Sequence, residues 1–146
     1  MDARKRQLGV TTVEFAIVGA VVFLVLFAIV ELSRFVYTLE MLEEGTRRAA
    51  RVGVVCAVGD PAVANAAVFA NLPGLSTDDN VVVEYLDQGG APTGDFPSIR
   101  YVRVRIVDYE FAPVIPYFGL FAAPAFSSTL PRESLGVLWN GAPPPC

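Results

Sequence analysis

Histidine is absent from this chain of 146 residues, and Lys5 is its only lysine. Without imidazole the chain has no Ser-His-Asp triad, and a single lysine beside two arginines is not placed as a Schiff-base or P-loop lysine would be. Cys56 and Cys146 are the only cysteines, too few for a zinc site that has no histidine to complete it. We therefore expect no metal and no cofactor, and the absences argue against an enzyme.

Basic residues are also scarce, with 11 lysines and arginines against 15 acidic residues and a net charge of −4. A protein that neutralises nucleic-acid phosphates needs a concentrated basic face, so nucleic acid is not an expected partner. The densest basic group is Arg100, Arg103 and Arg105. Its alternation with valine and isoleucine predicts the solvent face of a strand rather than a phosphate site.

Charge is missing altogether from Phe15 to Val30, a stretch of 16 residues without strong hydrogen-bonding side chains. As a helix this stretch is about 24 Å long, and about 32 Å when counted from Val10, enough to cross a bilayer. Three basic residues, Arg4 to Arg6, precede it. Basic residues before a first apolar segment predict a cytoplasmic N-terminus and an extracytoplasmic domain after the segment.

Helical periodicity continues beyond the apolar stretch. The residues after Val30 do not form a small-residue site for signal peptidase, and apolar positions recur at steps of three and four as far as Gly53. This pattern predicts one continuous helix from Val10 to about Val55. Residues 10–31 would be its transmembrane part and 32–56 its amphipathic continuation.

Residues 57–146 are predicted to form a small α+β domain with an antiparallel sheet. Asp60 and Pro61 suit an N-cap and a first helical position, and they predict a short helix from Ala62 to Leu72. The predicted strands are Val81–Asp87, Ile99–Tyr109 and Ser127–Trp139. The glycines of residues 88–97 lack the Lys-Ser/Thr pair of a phosphate loop and predict a hairpin connection.

Residues 111–126 are apolar but contain three prolines, which exclude a transmembrane helix. One interpretation is a loop that covers the open face of the sheet. The other is an exposed patch that docks on the bilayer or on a neighbouring subunit. The aromatic residues available to such a patch are Phe111, Tyr117, Phe118 and Phe121.

Both cysteines fall on the predicted extracytoplasmic side. An even count in a translocated domain favours a disulfide between Cys56 and Cys146, which would tie the proline-rich tail to the end of the long helix. Two unpaired thiols remain the alternative.

An acid lies just inside the apolar segment, at Glu14. Four residues separate Gly9 from Glu14, and the motif lies between a basic leader and an apolar helix. This arrangement resembles the class III signal of type IV pilins and pseudopilins. The resemblance implies that a prepilin peptidase cuts between Gly9 and Val10 and removes a leader of residues 1–9. The new ammonium group of one subunit would then pair with Glu14 of a neighbour. The alternative is that Glu14 lies at the headgroup boundary and favours the positive end of the helix dipole.

Longer stretches of the sequence resemble one particular family of pseudopilins. Three stretches of the chain are similar to TadE-like pseudopilins of the tight-adherence (Tad/Flp) pilus system. They are "GVTTVEFAIV", which contains the pair Glu14-Phe15, then "ELSRFVYTLEMLEEGTRRAARVG", and finally "STLPRESLG". Many relatives have methionine where this chain has Pro131, which affects the end of the last strand. The resemblance implies a pilin-like fold and a non-catalytic minor pilin or pseudopilin of the bacterial inner membrane. Its implied partners are other pilins, the assembly platform, the prepilin peptidase and the lipid bilayer.

Two other classes of function compete with this interpretation. The first is a signal-anchored extracytoplasmic binding module that is neither processed nor assembled into a pilus. The second is a membrane-anchored hydrolase, which would need an acid–base pair of carboxylates. The candidates for that pair are Asp78, Asp79, Glu84, Asp87, Asp95, Asp108 and Glu110. They lie in predicted turns and at strand ends, as solvated acids do.

Overall fold

The structure is a computed structural model that describes residues 3–114, 119–137 and 146. In the described residues a long helix packs on a small antiparallel sheet, so the predicted α+β, pilin-like class is confirmed. The helices are α1 (Ala3–Gly53) and α2 (Pro61–Ala67), with a 3₁₀ turn at Phe96–Ser98. The strands are β1 (Val81–Leu86), β2 (Tyr101–Ile106), β3 (Glu110–Phe111), β4 (Phe121–Ala122) and β5 (Phe126–Pro131).

Helix α1 has two halves in different surroundings. Almost every side chain from Val10 to Val30 is exposed. The second half instead buries one stripe against the rest of the chain, at steps of three and four residues. The fully or nearly fully buried residues of that stripe are Thr38, Leu42, Thr46, Ala49 and Ala50. Only this half therefore belongs to the folded domain.

The ends of α1 differ slightly from the prediction. The helix begins at Ala3, before the predicted start at Val10, because the leader consists mainly of good helix formers. It ends at Gly53, two residues before the predicted end. The carbonyls of Val54 and Val55, directly after the helix, accept hydrogen bonds from a distant turn rather than from a continued helix.

A close contact joins the two helices at Gly45. A Cβ atom on this glycine would lie 2.5 Å from the carbonyl oxygen of Ala67 in α2 and 3.4 Å from Cδ1 of Ile106. Glycine therefore allows the backbones of α1 and α2 to approach each other. This contact places α2 beside the inner face of the sheet.

Helix α2 begins as predicted but is shorter. The Asp60 side chain accepts a hydrogen bond of 2.8 Å from the backbone N–H of Ala62, and Pro61 opens the helix. The predicted end at Leu72 is wrong, since the helix stops at Ala67. Turns follow at residues 68–70, and Asn71 then adopts a left-handed conformation with φ of 47°.

The main sheet has the order β1–β2–β5, and both pairings are antiparallel. Alternate residues of the central strand β2 face α1 and are fully buried: Val102, Val104 and Ile106. The intervening Arg103 and Arg105 lie on the outer face, as the alternation predicts. Glu84 of β1 is within 3.7 Å of both guanidinium groups.

Strand β2 ends at Ile106, three residues before the predicted end at Tyr109. Asn80 causes the chain to leave the sheet there, because its side-chain amide donates to the carbonyls of Val107 and Asp108. Asp108 is then in the left-handed region with φ of 53°. Tyr109 returns to the core and donates its hydroxyl to the Pro73 carbonyl at 3.0 Å. Burial raises the pKa of Tyr109.

Strand β5 ends at Pro131, so the predicted continuation as far as Val137 is wrong, and Leu138 and Trp139 lie outside the described residues. Proline has no N–H with which to extend the ladder. The chain then turns onto the end of α1. The N–H groups of Glu133 and Leu135 donate to the Val54 carbonyl, and the N–H of Gly136 donates to the Val55 carbonyl. The late "PRESLG" stretch thus caps the long helix.

We expect Gly45→Ala to lower the thermal midpoint of the full-length protein in detergent. The added methyl group has no room against the Ala67 carbonyl, and overpacking of this kind costs about 1–3 kcal/mol. Gly19→Ala is the matched control, since no atom lies within 4 Å of the corresponding Cβ position. Equal midpoints for the two variants would contradict the close contact. The measurement is circular dichroism at rising temperature.

Candidate functional site

The exposed apolar half of α1 is the first candidate site. Within the described residues, one helix is long and apolar enough to cross a membrane by length and composition, and none of its most apolar window is buried. Gly9 and Val10 lie inside this helix, and Glu14 is exposed on its surface. The neighbouring Phe15 is 78% exposed. In the part of the chain that the structure describes, no ion pair involves Glu14.

The second candidate site lies where α1 leaves the apolar half. A short hairpin formed by β3 and β4, called here the β3–β4 hairpin, pairs Phe111 with Phe121 and lies against the helix. Phe111 is 4% exposed, and its ring meets the ring of Phe35 edge to face with centroids 5.3 Å apart. The Arg34 guanidinium lies 5.4 Å from the Phe111 centroid, within range of a cation–π contact.

Glu31 joins the hairpin to the helix. Its Oε1 atom accepts a hydrogen bond of 2.9 Å from Nη1 of Arg34 and another of 3.1 Å from the backbone N–H of Val114. The Glu31 side chain is 17% exposed, so a charge at the end of the apolar segment is largely removed from water but has two donors. Charge-assisted hydrogen bonds of this kind are stronger than neutral ones. Glu31 therefore holds the β3–β4 hairpin at one level along α1.

An apolar groove of about 300 Å³ lies between the helix and the hairpin. Six of its seven lining residues are apolar, and the remaining one is Glu31. The apolar lining residues are Ala28, Leu32 and Phe35 of α1, together with Phe111, Pro113 and Phe121. The chemistry of this lining suits a hydrocarbon or another apolar side chain rather than a polar substrate.

The residues predicted for a docking loop have different positions. Phe111 is buried and lines the groove from the hairpin side, while Phe121 is 47% exposed at its edge. Tyr117 and Phe118 lie outside the described residues. Whether the loop docks on the bilayer or on another subunit stays a prediction at this point.

The sequence analysis did not identify the helix side of the groove. Glu31 and Arg34 are three residues apart on α1, a spacing that indicates a helical ion pair. The hydrogen bond from Val114 to Glu31 joins residues that are 83 positions apart in the sequence, so no local sequence pattern predicts it. The one available signal was a carboxylate directly after the apolar run, since a charge in that place needs a partner.

Glu14 and the groove are separate features. Glu14 and Ala28 are 14 positions apart in the sequence, which corresponds to about 21 Å along a helix. Glu14 therefore lies near the start of the apolar segment of α1, and the groove lies at the other end of that segment.

Several of the acids considered for hydrolysis take part in local structure. Glu84 lies between two arginines on the outer face of the sheet. Asp87 accepts a hydrogen bond from the N–H of Ala91, and Asp95 accepts one of 2.6 Å from the Ser98 hydroxyl. Among the described residues, no group of three or more cysteine or acidic residues could hold a metal ion.

The cysteines come together at the end of α1. The structure joins Cys56 to Cys146 in a disulfide with the Cα atoms 5.9 Å apart, and Cys56 is 2% exposed. The bond closes a loop with a sequence separation of 90. It lies beside the turn of residues 133–136 that caps the helix, so two separate connections secure the C-terminal end of α1.

The comparisons with known proteins concern the long helix. Residues 9–51 match the family of TadE-like proteins. The match confirms the predicted resemblance for this segment, which is less than a third of the chain. It includes Gly9, Glu14 and the groove residues of α1, but not the sheet domain. Neither the curated proteins nor the solved structures include a significant match to the chain.

We expect both cysteines to resist alkylation in protein purified without reductant. In the chain-entropy model a loop of this length contributes about 4–5 kcal/mol to stability. Peptide mapping by mass spectrometry should recover the Cys56 and Cys146 peptides as one linked species. Cys146→Ser should unfold at a lower denaturant concentration than the oxidised parent. Two freely alkylated thiols in folded, unreduced protein would contradict the pairing.

Proposed function

We propose that the chain is a TadE-like minor pilin or pseudopilin that takes part in the assembly of a Tad/Flp pilus. The observation that carries the proposal is the match of residues 9–51 to the TadE-like family on a helix whose first half is apolar and exposed. A helix of this kind suits a membrane anchor before assembly and a packing surface afterwards. Its role is to associate with other subunits, and no catalysis is required of it.

In this proposal the chain has four functional parts. Residues 1–9 are a cytoplasmic leader that a prepilin peptidase removes, and 10–31 cross the bacterial inner membrane. Residues 32–56 continue the helix, and 57–146 form the extracytoplasmic domain. The basic leader supports this orientation, since lysine and arginine before a first apolar segment favour the cytoplasmic side.

The interaction that we assign to assembly is a pairing of Glu14 with the amino terminus of a neighbouring subunit. Glu14 is exposed in the monomer, so its carboxylate is available to a second helix. In an apolar bundle the loss of one partner leaves an uncompensated charge, which costs about 3–5 kcal/mol. Such a penalty would fix the axial register of adjacent helices. Other pilins and the inner-membrane assembly platform are the partners that this proposal implies.

Cleavage is tested by the N-terminus of the mature protein. We expect chains extracted from membranes of cells with the prepilin peptidase to begin at Val10, as read by intact-mass analysis. Chains from cells without the peptidase should keep the leader and serve as the control. Recovery of only uncleaved chains in the presence of the peptidase would favour the signal-anchored binding module instead.

Glu14 is tested by substitution with alanine. Glu14→Ala leaves Gly9 and the apolar segment unchanged and removes a charge that disfavours the membrane, so insertion and cleavage should be normal. The association of the subunit with other pilins should weaken by two orders of magnitude or more, because the partner ammonium loses its counter-charge. This estimate takes about 1.4 kcal/mol for each tenfold change in the association constant. The measurements are pilus yield and cross-linking to other pilins at equal protein level.

Glu40→Ala is the matched control for this experiment. Glu40 is an exposed acid on the same helix but lies beyond the apolar half. Its removal should leave pilus yield and cross-linking at the level of the parent. Normal assembly of the Glu14→Ala protein would reduce Glu14 to an acid at the start of the membrane segment.

A further inference from the structure

The groove between α1 and the β3–β4 hairpin lies at a defined depth along the membrane helix. Measured from Val10 at 1.5 Å per residue, Ala28 is about 27 Å and Glu31 about 32 Å along the helix. The hydrocarbon core of a bilayer is about 30 Å thick, so a span that starts near Val10 leaves the hydrocarbon between these two residues. The groove therefore begins inside the leaflet farther from the N-terminus and ends at its headgroups.

The apolar surface of the span continues into the groove without interruption. Ala28 and Leu32 belong both to the exposed apolar helix and to the groove wall, and Leu32 is 63% exposed. Across the groove the hairpin presents further apolar side chains to the surroundings. Val114 is 72% exposed, Leu120 is 60% exposed and Phe121 is 47% exposed. An aggregate of exposed apolar residues marks a surface that is covered in use.

Polar groups at the groove fit the level at which headgroups lie. The Arg34 side chain is 41% exposed, and its guanidinium group lies over the Phe111 ring. One of its N–H groups is used by Glu31, and guanidinium has five donors in all. A cation that lies just outside an apolar segment complements the phosphate of a lipid headgroup. Tyr37, 59% exposed on the next turn, is of the type that is enriched at membrane interfaces.

We propose that this groove and the exposed side chains of Val114, Leu120 and Phe121 form a second membrane contact, in which lipid acyl chains of the far leaflet fill the groove. The domain then rests on the bilayer surface beside its own helix instead of standing clear of it. Glu31 acts as a positioning residue, because its two hydrogen bonds hold the hairpin at the level of the headgroups. The inference rests only on the membrane-anchor part of the proposed function, and it needs neither cleavage nor assembly.

The test uses the full-length protein in vesicles of phosphatidylcholine and phosphatidylglycerol. Trp139→Phe removes the only tryptophan, and Leu120→Trp then places a probe on the exposed hairpin. Lipids brominated in the upper part of their acyl chains quench tryptophan only by contact. Val58→Trp on the same background is the matched control, since Val58 is 45% exposed but lies beyond the far end of α1.

We expect the emission of Leu120→Trp to be blue-shifted and quenched several-fold more strongly than that of Val58→Trp, at every protein-to-lipid ratio. Val114→Trp provides a second probe with the same expectation if Leu120→Trp does not fold. Unquenched emission at the wavelength of a water-exposed indole would overturn the proposal. Blue-shifted but unquenched emission would also overturn it, because a second copy of the chain would then occupy the groove.

These outcomes are independent of pilus assembly. Vesicles contain neither the peptidase nor the assembly platform, so a chain that fails the Glu14 experiment in cells still reports on the groove. Conversely, a chain that is cut at Gly9 and assembles normally still contradicts the membrane contact if Leu120→Trp behaves like Val58→Trp.

Discussion

The structure depends on a single helix that must satisfy two environments. The first half of α1 exposes apolar side chains around its whole circumference, whereas the second half buries one stripe against the sheet. Small residues in that stripe, together with Gly45 and Gly53, allow α2 and β2 to lie close to the helix backbone. No other described element is of comparable length, and α2, β2 and β5 all contact this helix.

The boundary between the two halves of α1 contains the first charged residues after the apolar segment, Glu31 and Arg34. Glu31 and Arg34 neutralise each other, and each also contacts the hairpin, through the Val114 N–H and the Phe111 ring respectively. A polar pair at this place terminates the apolar surface without leaving a charge unpaired. The same pair fixes the hairpin, so the end of the apolar half of α1 and the start of the domain are defined by one set of contacts.

Local patterns predicted the elements, and distant contacts decided where they end. The two halves of α1, the Asp60 cap and the alternation of β2 follow from neighbours in sequence. The end of β2 depends on Asn80, which reaches across 27 residues to the Val107 carbonyl. The groove was not predictable for the same reason, because its helix wall and its hairpin wall are far apart in the chain. The leader and the role of Glu14 stay predictions, which rest on the Gly9–Glu14 spacing together with the basic residues before it and the apolar helix after it.

The disulfide between Cys56 and Cys146 determines whether proteolysis within the domain releases a fragment. Cys56 is at the end of α1 and Cys146 is the last residue of the chain as given, so the whole sheet domain lies within one covalent ring. A protease that cleaves once in an exposed loop, such as residues 88–95, opens the ring but releases nothing. The C-terminal fragment stays linked to the end of α1 through Cys56, and this covalent link is lost only when the bond is reduced or a second cut is made.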